Sequence, residues 1–207
     1  MILVAAVGAL GGVAAATPAA MADTGTEDFG YAPLTDSPTG NKPQSKLWYA
    51  DGQWWATLFN ATAGQHRIYR LDRSAQRWVD TGTPVDPRRS TRADVLFDES
   101  RNKLYVASHV FSETSGAATT AANGAKLWRY SFDPAGDRYT LDAGFPAAIN
   151  NATAEALNID RDSTGTLWAT WTQGSRVYVN RTAGGDDAAW GTPFVIPGSP
   201  GLDSDDI

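Results

Sequence analysis

Three stretches of this chain repeat one phrase: "GQWWATLFNATAGQHRIYRL" from Gly52, "NKLYVASHVF" with "AKLWRYSF" from Asn102, and "GTLWATWTQGSRVYVN" from Gly165. Each consists of strand-sized pieces in which apolar and polar residues alternate. Between them stand the Gly and Asx residues that a reversing backbone needs, as at Asp51-Gly52 and Ser163-Thr164-Gly165. A short apolar piece precedes each phrase, so the hairpins read "SKLWYADGQWWATLF", "ADVLFDESRNKLYVASHVF" and "AEALNIDRDSTGTLWATWT". A third strand follows each hairpin ("HRIYRLD", "AKLWRYSFD", "SRVYVNRT"), and a polar turn leads to a fourth ("RWVDTGTPV", "RYTLDAGFPAAI", "AWGTPFVIPG").

No segment carries helical periodicity over helix length, which excludes a βαβ design and predicts an all-β fold. Trp55 to Tyr105 is 50 residues and Trp128 to Tyr178 is 50, whereas Tyr105 to Trp168 is 63 and Tyr69 to Trp128 is 59. The excess is the Ala-, Thr-, Ser- and Gly-rich insertion Ser112 to Gly124, which reads as a surface loop. Four strands per unit at this period predict β-propeller blades, each sheet burying both faces against its neighbours with aromatics in the wedge. The blades are expected at about 44–88, 89–149 and 150–200, and "SDDI" (Ser204 to Ile207) matches the opening of a fourth at about 203. A ring takes roughly 4 to 8 blades, so the expectation is an incomplete propeller, with missing C-terminal blades of the same chain as partners. Closure by dimerisation is the alternative.

The 207 residues are 42% hydrophobic and 11% aromatic, enough for one globular core. A net charge of -6 argues against nucleic acid as a partner. There is no cysteine, hence no disulfide framework, thiolate metal site or Cys nucleophile, and His66 and His109 are too few for a His-rich zinc site. Ile2 to Ala20 is apolar and small, and Ala20-Met21-Ala22 has the A-x-A form of a signal-peptidase site. Residues 1–22 are read as a signal peptide, although no Lys or Arg precedes Lys42, and 23–43 as a leader. A membrane anchor is the alternative, the run approaching the ~20 residues a bilayer requires. The expected address is therefore extracellular, with no membrane association once the signal is removed.

The units resemble the "D-x-x-G-x-L-W-x-A-T" blades of secreted bacterial propellers, sialidase-like and two-component-sensor-type repeats among them. From Lys42 to Ile207 the chain is similar to exported actinobacterial propeller proteins of unassigned function. "DRDSTGTLW" (Asp160 to Trp168) resembles the sialidase Asp box, S-x-D-x-G-x-T-W, at a different spacing.

In such blades the innermost strand begins, and the loop between second and third strands lies, around the mouth of the central channel. Lys46, Arg92, Asp94, Glu155, Asp205 and Asp206 start the inner strands. The recurrent carboxylates could hold a structural cation such as calcium, grip sugar hydroxyls or act as acid and base, or could simply accept hydrogen bonds from turn amides. No cofactor is expected. The loops are Asn60 to Gln65, Ser112 to Gly124 and Gln173-Gly174, preceded by Leu58, His109 and Trp171. His109 is a candidate general acid or base and Trp171 a candidate sugar-stacking ring, set against structural roles for both. Arg88, Arg89 and Arg92 could hold a carboxylate or belong to a solvated connector. Asn60, Asn151 and Asn180 begin N-glycosylation tripeptides. The expected function is a secreted binding module that recognises extracellular glycan, or another surface macromolecule such as a protein, at the channel mouth. The rival is a sialidase-like glycoside hydrolase or polysaccharide lyase with Asp94 or Glu155 in acid/base work. A structural module displayed beside other domains is the third reading.

Overall fold

Chain reversals fall where the sequence supplies residues that tolerate a left-handed backbone. Asp51 and Gly52 have φ of 49° and 74°, and Asn102 has φ of 50° at the end of a 3-10 turn, Glu99–Arg101. The computed structural model describes residues 25–31, 42, 44–88, 90–113, 122–199 and 201. The expected signal segment, most of the leader, Arg89, the tip of the insertion and Asp205 and Asp206 lie outside these.

Sheet 1 is an antiparallel meander of β1 (Leu47–Ala50), β2 (Gln53–Asn60), β3 (Gln65–Asp72) and β4 (Arg77–Pro84). Sheet 2 repeats it with β5 (Thr91–Asp98), β6 (Lys103–Val110), β7 (Lys126–Asp133) and β8 (Arg138–Leu141), and β9 (Ala147–Ala148) pairs with β7. Sheet 3 comprises β10 (Leu157–Arg161), β11 (Leu167–Gln173), β12 (Arg176–Ala183) and β13 (Asp186–Trp190), with β14 (Phe194–Val195) also on β12. There is no α-helix among the described residues, and no helix long and apolar enough to cross a membrane. The expected fourth strands of the second and third units are each split in two. Between β8 and β9, Gly144 takes φ of 85° and Pro146 has no N–H to donate, so the ladder cannot run through.

Period-2 alternation decides which side chains meet. In sheet 1, Trp48, Ala50, Trp55 and Ile68 point toward sheet 2 and pack on Val95, Leu104, Val106, Trp128 and Tyr130. In sheet 2, the neighbouring positions Tyr105, Ala107 and Leu127 point the other way, onto Leu157, Ile159, Leu167, Ala169 and Trp171 of sheet 3. β6 therefore serves two cores, which is why "LYVASH" is buried throughout. The aromatics fill the gaps edge-on: Trp55 lies 5.0 Å from Tyr139 and 5.6 Å from Phe132, both T-shaped. Truncating such a ring leaves a void costing about 3–5 kcal/mol. The first strands of consecutive sheets lie together, with β5 touching both β1 and β10.

Candidate functional site: the cluster beside the first strands

Asp94 stands where the first strands converge. Its Oδ1 accepts the Ser45 N–H at 2.6 Å and its Oδ2 the Ile159 N–H at 2.8 Å, so one carboxylate ties the approach to β1, β5 itself and β10. Burial pushes its carboxyl above the usual range, against the pull of those amides. This is the role of a carboxylate that satisfies backbone donors, the plainer of the two sequence readings.

Lys46 lies alongside. Its Nζ donates to the Ala93 carbonyl at 2.9 Å and reaches the Gln44 carbonyl at 3.4 Å. Burial lowers its ammonium to about 8; Asp94 opposes the shift and Arg92 adds to it. Glu155 sits in the bend before β10 rather than at its first residue. Its Oε1 pairs with Lys42 Nζ at 2.8 Å, while its Oε2 is buried with no hydrogen-bond partner. Arg92 donates to the Thr91 carbonyl and lays its guanidinium 4.6 Å from the centroid of the Phe111 ring.

His109 pairs with Arg92 across β5 and β6 and is fully buried, Nε2 lying 3.4 Å from the Glu155 carbonyl. Burial pushes its imidazole down to about 3, so near neutral pH the ring is uncharged and does not serve as an acid. Trp171 belongs to the core: it stacks on Tyr178 at 5.9 Å among Leu157, Leu167 and Ala169, and packing consumes the ring expected to meet a sugar. Arg88 is engaged outside this cluster. It clasps Asp86 through Nε and NH2 and donates to the Ala122 and Gly124 carbonyls at the base of the insertion. Asp162, in the box-like stretch, organises the β10–β11 turn, accepting bonds from Thr164 and Thr166 and from Trp168 Nε1 at 2.8 Å. Asn180 is buried, and its amide donates to the Ile149 and Gly191 carbonyls, which occupies the nitrogen a glycan would need.

Two residues of this cluster carry no local sequence signal. Gln44 donates to the Leu157 carbonyl at 2.9 Å across 113 positions, and Lys42 reaches Glu155; both precede β1 and read simply as leader and strand entry. No group of three or more His, Cys, Asp or Glu that could hold a metal is present among the described residues. Around the converging first strands lie a buried carboxylate oxygen without a hydrogen-bond partner, two ammonium groups and a guanidinium over an aromatic ring. That set suits hydroxyl-rich or anionic ligands better than proton transfer.

No protein-family model matches the chain, and no curated protein does. Among solved structures it is similar to one described as the crystal structure of polysaccharide lyase Uly1, at 12% identity and a TM-score of 0.40. The match covers 77% of this chain and 42% of that one, so the chain spans less than half the length of this structural neighbour.

Proposed function

We propose that this chain is an exported binding module of β-propeller type that holds an extracellular glycan at the mouth formed by Lys42, Lys46, Arg92 and Glu155. Three meander sheets of four or five strands, packed in chain order with their first strands together, support the propeller reading. The small, apolar stretch that ends in Ala20-Met21-Ala22 supports export.

The observation that carries the ligand is the Glu155 carboxylate. A buried acceptor without a donor costs about 1–3 kcal/mol, a cost that a ligand hydroxyl would remove once the Glu155 side chain, buried in the free protein, turns outward to meet it. Lys46 supplies the complementary donor, and His109 acts only by holding the Glu155 backbone. Asp94 fixes the strands that carry them.

The test is a glycan array with the purified chain, followed by titration calorimetry of any hit. Glu155→Gln and Lys46→Ala should each weaken binding about tenfold, close to 1.4 kcal/mol, while leaving the circular dichroism spectrum unchanged. Retained affinity in both variants would remove the mouth as the site. Shortened glycan products in the same incubation would replace the binding reading with an enzymatic one.

A further inference from the structure

The segment ahead of β1 does more than lead into the sheet. Part of it, residues 25–31, lies on the outer strands of sheet 1, where Asp28 accepts the backbone N–H of Trp78 at 2.6 Å. Register decides which side chains it meets there. Tyr69 stands opposite Asp80, Trp78 is two positions before Asp80, and Asn60 ends β2 four positions after Ala56, the other partner of Tyr69; all four therefore share the face opposite to Trp55 and Ile68. Phe29 lies 5.7 Å from Tyr31, edge-on, and 5.6 Å from Tyr69. Between segment and sheet remains a cleft of about 300 Å³, lined by these rings, Trp78, Asn60 and Asp80. Phe29 is 38% exposed, and Tyr31 and Trp78 are half-buried, so a ligand reaches their rings without displacing them.

The polar floor of the cleft selects by charge. Asp80 Oδ2 accepts from Arg67 NH1 and from Asn60 Nδ2, both at 2.9 Å, and its Oδ1 accepts the Gly82 N–H at 2.8 Å. A cation would find that carboxylate already neutralised, and an anion would have to face it. Asn60 also donates to the Tyr69 hydroxyl at 3.1 Å, which leaves the phenol's own hydrogen for an acceptor in the cleft. Burial raises both Tyr31 and Tyr69 above the usual phenol range, so both remain O–H donors at neutral pH. Aromatic faces beside a few neutral hydrogen-bonding groups match the C–H face and the hydroxyls of an uncharged sugar ring.

We infer that this cleft is a second carbohydrate subsite, taking an uncharged sugar ring that packs on Phe29, Tyr31 and Trp78 and accepts a hydrogen bond from the Tyr69 hydroxyl. It shares no residue with the cluster of Lys42, Lys46, Arg92 and Glu155, and it does not rest on a ligand being held there. Both of its walls, residues 25–31 and strands β2 to β4, come from sheet 1 and its own leading segment, so no later part of the chain is needed to build it.

Titration calorimetry with neutral hexasaccharides of glucose, mannose and xylose, and a hexauronate as the charged comparison, tests it. At least one neutral hexasaccharide should bind. Trp78→Ala, which keeps the backbone N–H that Asp28 accepts, and Phe29→Ala should each weaken that binding at least about tenfold with an unchanged circular dichroism spectrum. Tyr69→Phe, which keeps the ring and loses only the hydroxyl, should weaken it about fivefold, and it reads the site even if Phe29→Ala releases the leading segment. The same titrations in Glu155→Gln separate the two sites, because binding that persists there and is lost in Trp78→Ala belongs to the cleft. Binding lost in Glu155→Gln but retained in Trp78→Ala would overturn the inference. So would a failure of every neutral hexasaccharide to bind, or tighter binding of the hexauronate that depends on Trp78.

Discussion

His109 and Lys46 are both ionisable groups taken out of water, and the sign of each shift fixes what it does. The imidazole of His109 titrates near 6.5 when free and at about 3 in the fold. Between those values the unfolded chain binds the extra proton, so stability is lost as pH falls through that window, at no more than ~1.4 kcal/mol per pH unit. Urea unfolding at pH 7 and pH 5 should therefore show a gap, and His109→Gln should narrow it by about 2 kcal/mol. An unchanged gap would mean that the imidazole is not held neutral. For Lys46 the fold lowers the ammonium from 10.5 to about 8, so its burial costs stability below pH 8, and that cost is relieved as pH rises from 8 to 10.5. A group that destabilises its own fold fits a role in binding. Lys46→Met should raise stability at pH 7 by about 1–2 kcal/mol while weakening the ligand, measured by unfolding and calorimetry on the same preparation. Loss of stability would show that the bond to the Ala93 carbonyl outweighs the desolvated charge.

At the scale of elements, Asp94 ties together the starts of three strands in different sheets, beside the backbone bond that the Val95 N–H donates to the Ser45 carbonyl at 3.1 Å. Asp94→Ala leaves the buried Ile159 N–H and the Ser45 N–H without acceptors and should cost about 2–4 kcal/mol by urea unfolding. Asp94→Asn, which keeps one acceptor oxygen, should cost less. A loss below about 1 kcal/mol would mean that water satisfies both amides. This staple marks the border of what the sequence made legible. Strands and turns were readable because alternation and φ-tolerant residues are local: Asp51-Gly52, Asn102 and Gly165 announce their reversals, and Trp55 and Tyr105 their burial. The broken fourth strands were less so, since Gly144 and Pro146 interrupt a run that still looks apolar. The cluster around the first strands was half legible. That Lys46, Arg92 and Glu155 stand near one another follows from the sequence, because the first strands of successive meanders run side by side and start at the same end. Lys42 and Gln44 were not, because their partners lie more than a hundred residues away. Trp171 and His109 were misplaced for a shared reason: sequence marks a strand end without telling whether the next sheet covers it.

For the whole molecule, sheet 2 lies between two cores, whereas sheets 1 and 3 each contribute to one. In an array where each unit touches only its neighbours, stability is the sum of unit and interface contributions, and the unit with two interfaces is the last to open. Amide hydrogen exchange should accordingly be slowest in β6, whose positions Leu104 to His109 are all buried, and fastest in the outermost strands β4 and β8. The two cores can be separated by substitution. Trp55→Ala damages only the core between sheets 1 and 2, at about 3–5 kcal/mol. It should accelerate exchange across β1 to β3 while leaving β10 to β12 near their original rates. Trp171→Ala should do the converse, because its contacts lie in the core between sheets 2 and 3. If either substitution sped exchange equally in all three sheets, the molecule would be opening as one body. Asp94 and the Asp187 carboxylate, which bonds Tyr105 and Arg129 across sheets 2 and 3, would then be coupling the cores more strongly than their apolar contacts do.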